Sequence, residues 1–113
     1  MKENVIVDLT YQFAPDVMSA GKTMRAQKEF DLASQFWRAG TSIGANVEEA
    51  QAAQSRADFK SKMSIAAKEA RETHYWLRLS RDAEILTEEK SGPLLEKIES
   101  IRKILTSIVK SSS

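Results

Sequence analysis

Apolar side chains recur every three or four residues in four separate stretches of this chain, and this spacing limits the folds open to it. Steps of three and four place successive side chains on one stripe of a helix, and an average step near 3.5 residues is typical of helices packed in bundles. The strict alternation expected of a half-buried strand appears nowhere in the sequence. The four stripes are Ile6, Leu9, Phe13, Val17, Ala20 and Met24; Ala33, Phe36, Gly40, Ile43, Val47 and Ala50; Phe59, Met63, Ala66, Ala70, Thr73, Leu77 and Ser80; and Leu94, Ile98, Ile101, Leu105 and Ile108. The sequence therefore predicts an all-α fold of four amphipathic helices.

Helix start signals locate the breaks between these stripes. Asp31 is a candidate N-cap for the second helix, and Ser55 for the third. Either Thr87 or Ser91 can cap the fourth, and Pro93 suits a first helical turn. Because the connections are short, consecutive helices are expected to be antiparallel neighbours in an up-down-up-down four-helix bundle. The predicted helices span about 4–25, 31–53, 56–83 and 93–110.

The length of 113 residues predicts one domain over residues 1–113. The absence of cysteine excludes disulfides and thiolate chemistry. Asp8 and Gln12 interrupt the apolar run that a signal peptide needs, and no stretch reaches the roughly 20 apolar residues of a membrane span. We therefore expect a soluble, cytoplasmic protein with no membrane partner.

A row of polar residues, here called the polar ladder, flanks the second apolar stripe. Its members follow one another at steps of three or four residues: Gln35, Arg38, Ser42, Asn46 and Glu49. Half-buried polar groups need hydrogen-bonding partners, and Gly40 and Gly44 would let a neighbouring backbone come close. We interpret the ladder as structural, with hydrogen bonds and an Arg38 ion pair that fix the register of the helices or a subunit contact.

The second and third helices carry large apolar residues outside their core stripes. At about 100° per residue these lie well away from the core direction. They are Trp37, Ile65, Trp76 and Leu79. One reading is that they only widen the core. The other is that a helix apolar on two faces is buried on two faces, which predicts self-association through an oligomer interface.

Positive charge is concentrated in the third segment, although the whole chain carries only +1. Residues 55–82 hold seven basic residues against four acidic ones. The candidate nucleic-acid-binding residues are Arg56, Lys60, Lys68, Arg71, Arg78 and Arg81. A line of basic side chains along a helix can follow a sugar-phosphate backbone. The same spacing also fits a solvated helix face partly neutralised by Glu69, Glu72 and Asp82.

No catalytic, metal or cofactor site is expected. His74 is the one histidine, so it has no second imidazole with which to hold a metal. A di-iron bundle needs Glu-x-x-His motifs from two helices, and the sequence has none. The four glycines are scattered and form no phosphate-binding loop.

Two segments resemble a known family. They are "QFWRAGTSIGANVEEA" and "DFKSKMSIAAKEARETHYWLRLSRDAEIL". Together they resemble the bacterial four-helix bundle family encoded within intervening sequences of 23S ribosomal RNA genes. The residues that carry this resemblance are Gln35, Arg38, Ser42, Ile43, Asn46 and Glu49, followed by Phe59, Ile65, Ala66, Glu69, Glu72 and Leu77.

The resemblance implies a protomer that assembles into a homopentameric ring. It also implies kinship with the accessory proteins of diversity-generating retroelements, which engage nucleic acid and a reverse transcriptase. Two functional hypotheses remain open from the sequence. One is a non-enzymatic oligomeric module that binds RNA, DNA or a nucleic-acid enzyme. The other is a structural or protein–protein interaction ring with no direct nucleic-acid contact.

Overall fold

A computed structural model of the chain describes the backbone of residues 2–112 and the side chains of residues 5–112. It contains four α-helices: α1 (Lys2–Ala26), α2 (Phe30–Gln51), α3 (Arg56–Asp82) and α4 (Glu88–Ser111). The packed pairs are α1 with α2, α2 with α3, α3 with α4, and α4 with α1. The predicted all-α four-helix bundle is confirmed, with principal extents of 44 × 21 × 19 Å.

The apolar stripes form the core of this bundle. Every member of the second and fourth stripes is buried, as are all members of the other two except Leu9 and Phe59, which are half-buried. Thr10 joins the core from α1, where its hydroxyl donates to the backbone carbonyl of Ile6. Apolar periodicity thus identified the core because a helix in a bundle buries one stripe.

The start of α4 differs from the prediction. The Oγ1 of Thr87 accepts a hydrogen bond from the backbone N–H of Lys90, and α4 begins at Glu88 rather than at residue 93. Acidic residues in the first turn also favour this start, because their charge complements the positive end of the helix dipole. Pro93 therefore lies inside the helix.

The other boundaries agree with the prediction to within two residues at each end. Ser55 caps α3 as expected, since its Oγ accepts from the N–H of Asp58. The predicted cap Asp31 is wrong: α2 begins at Phe30, so Asp31 lies in its first turn.

Two glycines of α2 permit close packing of α1 against it. A Cβ atom at Gly40 would lie 2.6 Å from both Cγ atoms of Val17, and one at Gly44 would lie 3.3 Å from the carbonyl oxygen of Thr10. The neighbour that these glycines admit is α1 of the same chain. This contact leaves the opposite side of α2 to pack on α3.

Across the described residues, no helix combines the length and the apolar content needed to cross a membrane.

Candidate nucleic-acid interface

Helix α3 has two chemically different edges beside its buried stripe. Towards α2 it presents Glu69 and Glu72, here called the acidic edge. Towards α4 it presents a set of cations, here called the basic edge. These cations are Arg56, Lys60, Arg71, Arg78 and Arg81. These two carboxylates and these five cations therefore lie on different edges of the helix.

Arg38 of α2 satisfies the acidic edge. Its Nη1 atom lies 2.7 Å from Oε2 of Glu69, and its Nη2 atom donates to Oε2 of Glu72. The Glu69 side chain is only 8% exposed, so its charge needs this partner. Glu72 also accepts a hydrogen bond from the indole N–H of Trp76 at 3.1 Å. One guanidinium thus links α2 to two turns of α3.

The rest of the polar ladder contributes less between helices. The amide of Asn46 donates to the backbone carbonyl of Ser42 in its own helix at 2.9 Å, and both residues are half-buried. Gln35 and Glu49 are exposed. Their role in a subunit contact stays a prediction.

The basic edge and α4 form the two sides of a groove. Near one end, Lys60 and Arg71 of α3 and Lys110 of α4 line a depression of about 270 Å³. Its other lining residues are Ala67, Thr106 and Val109, none of which is charged. The depression therefore combines three cations with a small neutral floor.

His74 faces α4 within the groove, one helical turn before Arg78. Its Nε2 lies 3.5 Å from a carboxylate oxygen of Glu99 on α4, and the other Glu99 oxygen accepts a hydrogen bond from Arg102. Burial lowers the pKa of His74 below 6.5, followed in importance by the positive charge of Arg78, and the charges of Arg102 and Arg81 act in the same direction. The hydrogen bond from Arg102 lowers the pKa of Glu99. Burial first, and the neighbouring positive charges second, therefore disfavour a charged imidazole.

Three cations of the basic edge have no acidic partner among the described side chains. Among the side chains of residues 5–112, no carboxylate lies within 4 Å of Arg56, Arg71 or Arg78. All three are exposed. Arg81 differs, because its Nε donates to Asp82 at 2.8 Å.

Of the three carboxylates that the sequence suggests as partners of these cations, the structure places one on the basic edge. Glu69 and Glu72 lie on the opposite edge of α3 and are bound by Arg38. Asp82 does pair within the basic edge. Lys68 is exposed and lies about 60° around the helix from Arg71, away from α4.

Sequence reasoning missed the cations on α4. Arg102 and Lys110 border the same groove, and Lys103 lies near enough to Glu99 to lower the pKa of that carboxyl. The fourth segment has no net charge, so its composition does not indicate a cationic surface. The available signal was position: Arg102, Thr106 and Val109 follow the i, i+4, i+7 spacing of one helix side.

The predicted oligomer interface divides into two pairs. Trp37 packs over Gly21 of α1, with the Arg25 guanidinium 5.5 Å from its ring centroid, and is half-buried. Trp76 is likewise half-buried and packs on the core. Ile65 and Leu79 each remain 41% exposed. The two aliphatic residues are therefore exposed to a larger fraction than the two tryptophans, and the oligomer interface stays a prediction.

A metal centre finds no support within the described part of the chain, where no three His, Asp or Glu side chains gather in a cluster that could hold an ion.

These features define the class of protein. It is an antiparallel four-helix bundle whose helix α3 has one acidic edge, paired within the fold, and one basic edge. The chain belongs to the 23S rRNA-intervening sequence protein family, whose model matches residues 2–107. This confirms the family predicted from the sequence. The kinship with retroelement accessory proteins stays a prediction.

A solved relative supports the same fold. The crystal structure of a protein with unknown function from the S23 ribosomal protein family of Bacteroides thetaiotaomicron VPI-5482 superimposes with a TM-score of 0.92. The two chains are 46% identical, over 97% of this chain and 99% of the other. A comparison with curated proteins gave no match. Neither the family's description nor that of the relative names an enzymatic activity.

Proposed function

We propose that the protein is a non-enzymatic, oligomeric helical module that binds RNA or DNA along the basic edge of α3. The observation that carries this proposal is the set of exposed guanidiniums, Arg56, Arg71 and Arg78, with no carboxylate within 4 Å among the described side chains. Among the described residues, these three charges take part in no ion pair. Guanidiniums match the geometry of phosphate oxygens, and rows of them supply the salt-dependent attraction to nucleic acid.

Self-association is the second part of the proposal. Ile65 and Leu79 are exposed aliphatic side chains on the same outer side of α3, and a second copy of the chain would remove them from water. The family resemblance suggests a homopentameric ring in the cytoplasm, related in form to retroelement accessory proteins. A ring would repeat the basic edge once per subunit, and such repetition strengthens a weak contact through effective concentration.

Binding of a labelled RNA and of its DNA equivalent, measured by fluorescence anisotropy over a salt series, tests the nucleic-acid part. We expect binding at low ionic strength that weakens as salt rises, because each neutralised phosphate releases counterions. Reversing two charges together, Arg71→Glu and Arg78→Glu, is expected to reduce affinity at least tenfold and to flatten the salt dependence.

The matched control reverses Lys22 and Lys28 to glutamate. Both are exposed, and Lys22 lies on α1 while Lys28 lies in the connection after it, so the net charge changes equally away from the basic edge. Unchanged affinity in the control separates a local site from a general effect of net charge. Failure of the wild-type protein to bind either polymer at low salt would refute this part.

The alternative function is a structural or protein-interaction ring that never touches nucleic acid. The exposed apolar side chains Ile65 and Leu79 favour it, because they would serve a protein partner equally well. Native mass spectrometry with and without RNA distinguishes the two functions. An oligomer that takes up no RNA supports the alternative, and a stable monomer at micromolar concentration contradicts the assembly in both.

A further inference from the structure

We infer that α4 supplies the second wall of the nucleic-acid interface, so that a single strand runs in the α3–α4 groove with a base stacked on Tyr75. This inference rests on the proposed function and adds to it the partner's form, the residues of α4 and a stacking platform. The charge of α3 alone does not identify Tyr75 or the cations of α4.

The groove has cations on both walls along its length. Lys60 and Arg71 face Lys110 across the depression near one end. Further along, Arg78 and Arg102 both act on His74. From Lys60 to Arg78 the helix rises about 27 Å at 1.5 Å per residue. At about 3.4 Å per phosphate along one stacked strand, this length spans roughly eight phosphates.

The charge on the α4 wall is only partly compensated. Glu99 is bound by Arg102 and lies 3.5 Å from His74. Lys103 and Lys110 are exposed, and no described carboxylate of residues 5–112 lies within 4 Å of either amine. A strand bound only to α3 would leave these amines unused at the opposite wall. A strand lying in the groove contacts both walls.

Tyr75 provides an aromatic surface on the outer side of α3, about 40° around the helix from Arg71. Its side chain is half exposed, and the Arg78 guanidinium lies 5.8 Å from its ring centroid. Trp76 supports the ring through an edge-to-face contact, with the two ring centroids 5.1 Å apart. Arg78 therefore joins the ring to the groove, since the same guanidinium acts on His74.

A cationic groove beside a supported aromatic ring is the combination found in proteins that bind single strands. Bases of a single strand can leave their neighbours and stack on an aromatic side chain, whereas paired bases in a duplex cannot do so without unpairing. We therefore expect single-stranded RNA or DNA to bind more tightly than a duplex of the same sequence.

The α4 wall is tested by reversing Lys103 and Lys110 to glutamate and measuring the affinity for a single-stranded oligonucleotide over a salt series. We expect affinity to fall at least tenfold at low salt. The slope of log affinity against log salt should decrease in magnitude by about 1.4, at roughly 0.7 per lost phosphate contact on a single strand. The Lys22→Glu, Lys28→Glu protein is the matched control and should retain the wild-type slope.

The stacking platform is tested by Tyr75→Ala, with Tyr75→Phe as the conservative variant. Loss of stacking on one base should weaken binding about 5- to 150-fold in the alanine variant, while phenylalanine retains the wild-type affinity. Tyr11 of α1, which is 72% exposed, gives the control Tyr11→Ala with no change expected. Circular dichroism verifies that each variant is folded.

The outcomes separate this inference from the function on which it rests. If the α3 reversals at Arg71 and Arg78 abolish binding but the α4 reversals leave it unchanged, the proposed function stands and the groove is refuted. Equal affinity for single strand and duplex, together with wild-type binding by Tyr75→Ala, refutes the stacked single strand. Failure of the wild-type protein to bind any oligonucleotide refutes both.

Discussion

The two edges of α3 use charge in opposite ways. On the acidic edge, Glu69 and Glu72 are held by Arg38 from the neighbouring helix, and Glu69 is nearly buried. On the basic edge, Arg71 and Arg78 are exposed, with no carboxylate within 4 Å among the described side chains. The same helix therefore holds one set of charges inside the fold and leaves the other set available.

This difference between the edges suggests that the acidic edge stabilises the fold and that the basic edge is available for binding. A nearly buried carboxylate without its partner would be strongly unfavourable, so the acidic edge constrains how α2 and α3 pack. Exposed cations contribute little to the stability of a folded chain, and grouped cations repel one another. Mutations on the two edges should consequently have different effects.

The largest expected effect on stability comes from Arg38→Ala. This change leaves Glu69 with a nearly buried charge and no guanidinium beside it, so the free energy of unfolding should fall by about 1–3 kcal/mol. The loss should be smaller than for a fully buried ion pair because Arg38 is half-exposed. Denaturant unfolding at fixed protein concentration measures it.

Arg71→Ala is the matched variant on the basic edge. It removes the same kind of side chain from an exposed position, and its effect on unfolding should stay within about 0.5 kcal/mol. Comparable losses in the two variants would remove the distinction between the edges.

Glu69→Gln is expected to destabilise the protein less than Arg38→Ala does. The amide oxygen can still accept from Arg38, so the hydrogen bond survives while the charge is lost. We expect a loss of about 0.5–1.5 kcal/mol, since a hydrogen bond to a charged acceptor is roughly twice as strong as one to a neutral acceptor. A loss as large as that of Arg38→Ala would show that charge, rather than hydrogen bonding, holds the two helices together.

The smallest effect concerns pH. Burial, followed by the charge of Arg78, lowers the pKa of His74 in the folded protein below 6.5, whereas an unfolded histidine titrates near that value. Between the two pKa values the unfolded chain binds more protons, so stability falls as pH decreases below about 6.5 and is unaffected by this group above it. His74→Gln should reduce this dependence; an identical pH profile in the variant would assign it to other groups.

Much of the fold was predictable because each helix buries one stripe. The spacing of Ile98, Ile101 and Leu105, for example, specifies a helix side without any knowledge of its neighbours. The predicted start of α4 is wrong because it relies on the preference of proline for the first helical turn at Pro93. The Thr87 side chain is the actual cap, since it accepts a hydrogen bond from a free N–H of the first turn.

The candidate site was less predictable, because it depends on which helix lies beside which edge. Sequence placed Arg71 and Glu69 on the same segment but could not show that Glu69 turns to Arg38 while Arg71 turns to α4. Lys110 is nearly 40 residues further along the chain, and only packing brings it beside Arg71.

Binding of a nucleic-acid strand in the α3–α4 groove can be tested at His74. His74 is the only histidine, so NMR titration of its imidazole, with the protein free and saturated with single-stranded RNA, reports on this groove alone. We expect a pKa below 6.5 in the free protein and a clearly higher one with RNA bound, because phosphates beside the ring favour its charged form. The same titration curve with RNA bound as without it would mean that the strand does not lie in this groove.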